Sequence, residues 1–157
     1  GACMGAGVEI ASCCDIRIAD SSARFGAPIA RLGFPMAPRE AQLVAGALGE
    51  AVARQMLLEA ATFSAAEMQA CGFLSRVVTK DAAAAETRAS AGRLAALAPQ
   101  AARLNKQTLR ALKSPSTLAG YAQAAMESIV DGAYGYADSA EHREGIHAFL
   151  AKRAPNF

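Results

Sequence analysis

The spacing of apolar positions changes along the chain, and it divides the chain into elements. Gly1-Ala2-Cys3-Met4 has the character of a buried strand's end entering a turn at Gly5. From about Gly7 to Cys14 the chain is apolar nearly all round, with Val8, Ala11 and Ser12 on one face, which predicts a short buried helix. Ile16-Arg17-Ile18-Ala19 alternates as a strand does. Asp20-Ser21-Ser22 has turn chemistry, and Ala23-Arg24-Phe25-Gly26 is a second short strand that Pro28 ends. The stretch from Ile29 to Pro38 is a loop, broken by Gly33, Pro35 and Pro38. Helical spacing then runs from about Arg39 to Leu48, closed by Gly49, and from Glu50 to about Ala60, where Met56, Leu57 and Leu58 form an apolar side.

Ser64-Ala65-Ala66-Glu67 has capping-box spacing and predicts a short helix ending at Gly72. Phe73 to Thr79 alternates as a strand. Asp81 is the expected cap of an alanine-rich helix reaching about Leu97, and Pro99 opens the next helix, to about Lys113. A turn from Ser114 to Thr117, a helix to about Val130 and a loop from Asp131 to Ala137 follow. The last helix is expected over Ser139 to Arg153. Asp138 and Glu141 stand at capping-box spacing before it, with Glu141 and Glu144 near its start and Lys152 and Arg153 at its end, as the helix dipole favours. The order is mixed strand and helix over residues 1–80 and purely helical over 81–157. Leu94, Leu97, Leu104, Leu109, Leu112, Tyr121, Met126 and Ile129 are expected to pack as a layer, partly against another subunit.

Composition narrows the class. A chain of 157 residues that is 53% hydrophobic and 19% charged is a globular protein with one sizeable core. A formal net charge of +2, with no basic cluster interleaved with aromatics, argues against nucleic acid. No apolar run has the length of a membrane span, and no signal-peptide pattern opens the chain. Cys3, Cys13, Cys14 and Cys71 lack zinc spacing and lie far in sequence from His142 and His147, so no metal site is expected. They fit reduced, mostly buried thiols of a cytoplasmic protein. The chain has no initiator methionine and starts within a motif, so an N-terminal part of the domain is expected to precede it.

The candidate chemistry lies in Gly5-Ala6-Gly7-Val8-Glu9. Small residues allow a sharp turn and close backbone approach, and the first N–H groups of a helix have no partner within it. Aimed at a cavity, such N–H groups stabilise a developing oxyanion, with Glu9 about one turn further on. The plainer alternative for Glu9 is a carboxylate at the positive end of its helix, a contribution of about 0.5 kcal/mol. A dinucleotide fingerprint is disfavoured, because Ile10 stands where Gly or Ala is required and no long strand precedes it.

Four stretches together resemble the crotonase superfamily, the enoyl-CoA hydratase/isomerase fold. They are Gly5-Ala6-Gly7-Val8-Glu9 running on to Cys14-Asp15-Ile16-Arg17-Ile18-Ala19, and Ala23-Arg24-Phe25-Gly26-Ala27-Pro28 leading to Leu32-Gly33. The third is Leu48-Gly49 with Ala53, Leu57-Leu58, Phe63-Ser64-Ala65-Ala66-Glu67 and Gly72-Phe73-Leu74. The fourth is Arg143-Glu144-Gly145 followed by Ala148-Phe149-Leu150-Ala151-Lys152-Arg153. The resemblance implies an α/β, crotonase-like (ClpP/crotonase) spiral of ββα turns followed by a helical trimerisation region, with the chain starting near the middle of the spiral. It also implies a substrate carried as a coenzyme A thioester, no bound prosthetic group, and a homotrimer or dimer of trimers.

Carried over by position, the resemblance gives the Ala6 N–H half of a thioester oxyanion hole and makes Glu9 the first catalytic glutamate, with a pKa raised by burial. The second catalytic glutamate should follow Pro28, where Ile29 stands. The glycine-rich turn of the family is here Phe34-Pro35-Met36-Ala37-Pro38-Arg39-Glu40, in which Pro38 removes a donor and Ala37 retains one. Glu40 is either a surface partner of its helix dipole or the missing carboxylate supplied from a neighbouring position. Phe149 and Lys152 match positions that contact the adenine and 3′-phosphate of CoA, against the alternatives of a packing residue and a C-terminal dipole partner. The leading expectation is an acyl-CoA enzyme of hydratase or isomerase type. The rivals are a catalytically weak acyl-CoA-binding protein, in which Ile29 lines a dry acyl pocket, and a scaffold acting through the helical half.

Overall fold

A computed structural model describes residues 1–33, 35–113, 127–128, 135–136 and 139–157. Phe34, the turn and cap expected at Ser114 to Thr117, most of the helix reaching Val130, most of the loop from Asp131 to Ala137, and Asp138 lie outside the described residues. Two compact units are formed, Gly1–Ala89 and Ser90–Phe157.

The first unit holds five short strands. β1 (Ala2–Met4) runs parallel to β3 (Arg24–Gly26), which pairs antiparallel with β4 (Thr62–Ser64). β2 (Ile18–Asp20) runs parallel to β5 (Arg76–Val78) in a second sheet. Between them lie α1 (Ala6–Ser12), a 3₁₀ turn (Ile29–Leu32), α2 (Pro38–Leu48), α3 (Glu50–Leu58) and α4 (Ala65–Ala70). α5 (Ala83–Ala95) begins in this unit and ends in the second. The expected strands at Ile16–Ala19 and Phe73–Thr79 are thus shorter and shifted, and α5 starts two residues after Asp81.

Helix periodicity explains the core. Val44 and Leu48 lie four apart on α2, Val8 and Ser12 four apart on α1, and all four are buried. α1 packs on α2 and α2 on α3. Phe25 and Phe73 meet edge to face with centroids 5.9 Å apart, amid Leu48, Met56 and Met68. Ser12 is buried without cost to its hydroxyl, which donates to the Val8 carbonyl at 2.8 Å. One expectation fails here. α1 is not buried all round, since Ile10, on the side away from Val8 and Ser12, is 69% exposed.

Local turn chemistry behaves as the sequence predicts. The Ser64 hydroxyl accepts from the Glu67 N–H at 3.3 Å, and the Glu67 carboxylate accepts from the Ser64 N–H at 2.7 Å. The Ser64 hydroxyl, donating to the Glu67 carboxylate at 2.6 Å, and then the Ser64 N–H hold the Glu67 carboxyl below its ordinary pKa. Asp20 accepts from the Ser22 N–H at 2.8 Å and closes an Asx turn.

Arg17 joins pieces that its sequence position does not advertise. Its guanidinium donates to the Cys14 carbonyl at 2.5 Å and to the Phe73 carbonyl, and lies 4.5 Å over the Phe73 ring. The Arg17 carbonyl accepts from the Ser75 N–H at 2.8 Å. One side chain therefore ties the end of α1 to the segment entering β5.

The second unit contains the end of α5, α6 (Pro99–Lys113) and α7 (Ala140–Leu150). Ser139 caps α7, its hydroxyl accepting from the His142 N–H at 3.0 Å. Glu141, whose expected capping-box partner Asp138 lies outside the described residues, reaches another helix. Its carboxylate accepts from the Gln100 N–H at 3.0 Å and from the Tyr136 hydroxyl at 3.0 Å, so it caps α6 from across the unit. This is favourable because the first N–H groups of α6 carry the positive end of the helix dipole. Of the expected apolar layer, Leu94, Leu97, Leu109 and Leu112 are exposed and Leu104 is half-buried. Tyr121, Met126 and Ile129 lie outside the described residues. No helix among the described residues is long and apolar enough to cross a membrane.

Candidate active site

The site is built where β1 and β3 end side by side. Their parallel register pairs Met4 with Gly26, so the turn at Gly5 and the segment Ala27-Pro28-Ile29 leave the sheet together. The Gly5 N–H donates to the Gly26 carbonyl at 2.8 Å. Gly5 has φ 54° and ψ −122°, a conformation that side-chain-bearing residues rarely adopt. Gly26 lies in close packing. A Cβ there would lie 3.0 Å from Met4 Cε and 3.3 Å from the Ala61 carbonyl oxygen.

The Gly5 turn starts α1 with Ala6 as its first residue. The Val8 N–H donates back to the Gly5 carbonyl at 2.9 Å, whereas the Ala6 N–H has no acceptor among the described residues. Glu9 follows in the first turn of α1 and is half-buried beside Val8. Its carboxylate has no hydrogen-bond or ionic partner among the described residues, so it is available to a ligand or water. The burial expected for it is only partial.

Ile29 opens the 3₁₀ turn after Pro28 and is half-buried. It lines an apolar cleft of about 520 Å³ together with Ala30, Gly33, Pro35, Met36, Ala41, Leu57 and Leu58. No side chain in that lining carries a charge or a hydrogen-bonding group. Ala6, Glu9 and Glu40 do not line it, although Ala41, the residue after Glu40, does.

Glu40 lies in the first turn of α2, which begins with Ala37 as N-cap and Pro38 inside the helix. It is half-buried on the same face as Val44 and Leu48, four and eight residues on. Like Glu9, it has no side-chain partner among the described residues. The packing of α1 on α2 brings together the two helices that carry these carboxylates.

Phe149 and Lys152 belong to the second unit, at the end of α7. Phe149 is 80% exposed. Lys152 stands just past the helix with φ 51°. Its N–H donates to the Phe149 carbonyl, and the Arg153 N–H donates to the Ala148 carbonyl, both at 3.1 Å, which is a Schellman ending. Position matching assigns roles to Lys152 and Phe149 but none to Glu144. That carboxylate holds the ending together through Arg153, at 2.6 Å and 2.9 Å, and through the Asn156 N–H at 2.7 Å. The nine-residue spacing of Glu144 and Arg153 carries no helical signal that would have paired them.

No group of three or more His, Cys, Asp or Glu side chains that could hold a metal ion occurs among the described residues. All four cysteines are free thiols, with Cys13 and Cys14 exposed and Cys3 and Cys71 half-buried.

Comparison with known proteins puts this arrangement in a family. The profile of the enoyl-CoA hydratase/isomerase family matches residues 1–157. A probable enoyl-CoA hydratase of Mycobacterium tuberculosis is 33% identical over 157 residues, covering 100% of this chain and 59% of the relative. The 2,3-dehydroadipyl-CoA hydratase of Escherichia coli is 32% identical, covering 100% of this chain and 60% of its own length. The crystal structure of an enoyl-CoA hydratase/carnithine racemase from Magnetospirillum magneticum superposes with a TM-score of 0.89 at 38% identity, covering 100% of this chain and 56% of that one. The chain thus spans about three-fifths of the length of these relatives. On the match along its whole length and the shared fold, the chain belongs to the enoyl-CoA hydratase/isomerase family, within the crotonase superfamily.

Proposed function

We propose that the protein acts on acyl-CoA thioesters, with the Ala6 N–H as an oxyanion donor and Glu9 as the principal acid/base group. The observation that carries this reading is the Gly5 turn. It is bonded to Gly26, and among the described residues neither the Ala6 N–H nor the Glu9 carboxylate that follows in the same turn of α1 has a partner. A donor fixed before reaction stabilises the enolate oxygen without further reorganisation. Coenzyme A arrives as part of the substrate, and no prosthetic group is invoked.

The composition of the site favours proton transfer with a single carboxylate. In double-bond isomerisation, Glu9 takes a proton from the α-carbon, the electron pair passes into the thioester enolate, and the same proton returns to the γ-carbon. Hydration needs more. Glu9 accepts a proton from the water that adds to the β-carbon, and the α-carbon must then be protonated, which Ile29 cannot do. Glu40 is the neighbouring carboxylate best suited to that second role. Phe149 and Lys152 are assigned to the adenine and 3′-phosphate of CoA. The exposed leucines of the helical unit support assembly as a homotrimer or a dimer of trimers.

One observation favours a second reading. Ile29 lines an apolar cleft at the position where the family's second glutamate is expected. A protein using that cleft only to hold an acyl chain would bind CoA thioesters and turn them over slowly. Assays of crotonyl-CoA hydration and 3-enoyl-CoA isomerisation on the full-length protein separate the two. Turnover that depends on Glu9 supports the enzyme. Tight binding with no turnover of either substrate supports the binding protein, and no binding of CoA thioesters at all removes both.

A further inference from the structure

The end of α7 is a locked hook. Lys152 is a non-glycine residue at φ 51°, a conformation that glycine adopts at less cost. It is held there by the two backbone bonds of the Schellman ending and by the bidentate pair of Arg153 with Glu144. The Glu144 carboxylate also takes the Asn156 N–H, and Phe157 folds back against α7, its ring 3.9 Å from where a Cβ on Gly145 would stand. Arg153 is fully committed, because it also donates to the Ala154 carbonyl at 3.0 Å. Among the described residues, nothing holds the Lys152 ammonium, and the Phe149 side chain, three residues earlier in the chain, is exposed. The hook therefore presents an aromatic face and a cation on a fixed backbone while neutralising the cation next to them.

We propose that Glu144 and Arg153 are positioning residues for nucleotide recognition: their ion pair holds Lys152 in its left-handed conformation, so that its ammonium meets the 3′-phosphate of coenzyme A while Phe149 meets the adenine. This rests on the assignment of Lys152 and Phe149 to the nucleotide end of the substrate. A freely rotating lysine loses more freedom on binding a phosphate than one whose backbone is fixed, so the pair contributes through preorganisation.

The readout is the ratio of affinities of the full-length protein for CoA and for 3′-dephospho-CoA, measured by calorimetry. The native protein is expected to prefer CoA by about tenfold, the equivalent of one well-placed charge contact. Glu144→Gln and Arg153→Gln should each reduce the preference to below about threefold. Affinity for 3′-dephospho-CoA should be unchanged, which also reports that the variants fold. Arg153→Lys, which keeps the charge but not the bidentate geometry, should fall between. Lys152→Gly, which keeps the backbone conformation and removes the ammonium, should abolish the preference. If Lys152→Gly abolishes the preference while Glu144→Gln and Arg153→Gln retain it, the positioning role is wrong and the lysine assignment stands. If Lys152→Gly leaves the preference intact, the assignment itself is wrong.

Discussion

The Gly5 N–H donates to the Gly26 carbonyl at 2.8 Å, and this bond joins the turn that bears Ala6 to the end of β3, three residues before Ile29. Gly5 sits at φ 54°, and a Cβ on Gly26 would crowd the Ala61 carbonyl oxygen at 3.3 Å. Gly5→Ala should therefore destabilise the protein by roughly 1–3 kcal/mol, the range for a side chain forced into a disfavoured backbone conformation. Urea unfolding measures this. A variant as stable as the native protein would mean that the turn is not held as described.

Position 29 should be a functional switch. Parallel pairing of β1 with β3 brings it out of the sheet beside the Gly5 turn, so a carboxylate introduced there would meet the substrate from a second direction. Ile29→Glu is expected to raise crotonyl-CoA hydration by about 10²-fold, within the range for a positioned acid/base group. Steady-state kinetics provide the check. Unchanged hydration with intact thioester binding would place residue 29 away from the reacting carbons.

The Ser64–Glu67 capping box starts α4 by satisfying donors at both ends of the motif. Ser64→Ala should cost about 1 kcal/mol. Ser64→Asp should recover most of that, since Asp caps as well as Ser. Thermal unfolding of the pair of variants, compared with the native protein, tests it.

The hook at the end of α7 gives a pH dependence of known sign. Arg153 and the Asn156 N–H lower the Glu144 carboxyl from its ordinary 4.5 to about 2. A carboxyl lowered by folding stabilises the native state above its unfolded pKa, and that stabilisation is lost as pH falls through the folded value. The hook should therefore be intact at pH 5 and above, and open progressively as pH falls from about 4.5 toward 2. The Asn156 amide resonance, followed by NMR, should titrate in that window, and in Glu144→Gln it should not titrate there.

What the sequence could convey follows from the range of each interaction. Ser64 and Glu67 are three residues apart, and their capping box was legible because both halves lie within one turn. The bond from the Gln100 N–H to the Glu141 carboxylate spans 41 residues of sequence, and no local pattern signals it. Arg17 looked like one position of an alternating strand. Its role depends on Phe73, which only the pairing of β2 with β5 brings near. The exposure of Ile10 was equally hidden, since an apolar helix does not declare which of its sides the core will cover. The candidate site was read from Gly5 through Glu9 and from the Pro28-Ile29 departure, all of them local signals. Its relation to α2, and hence to Glu40, required the fold.

The role of Glu9 is decided by the turnover of crotonyl-CoA and a 3-enoyl-CoA by the full-length protein and by Glu9→Gln, with thioester affinity measured in parallel. Measurable turnover of at least one substrate is expected, reduced about 10²- to 10⁴-fold by Glu9→Gln with affinity retained. Turnover of either substrate that is indifferent to Glu9→Gln would contradict that role.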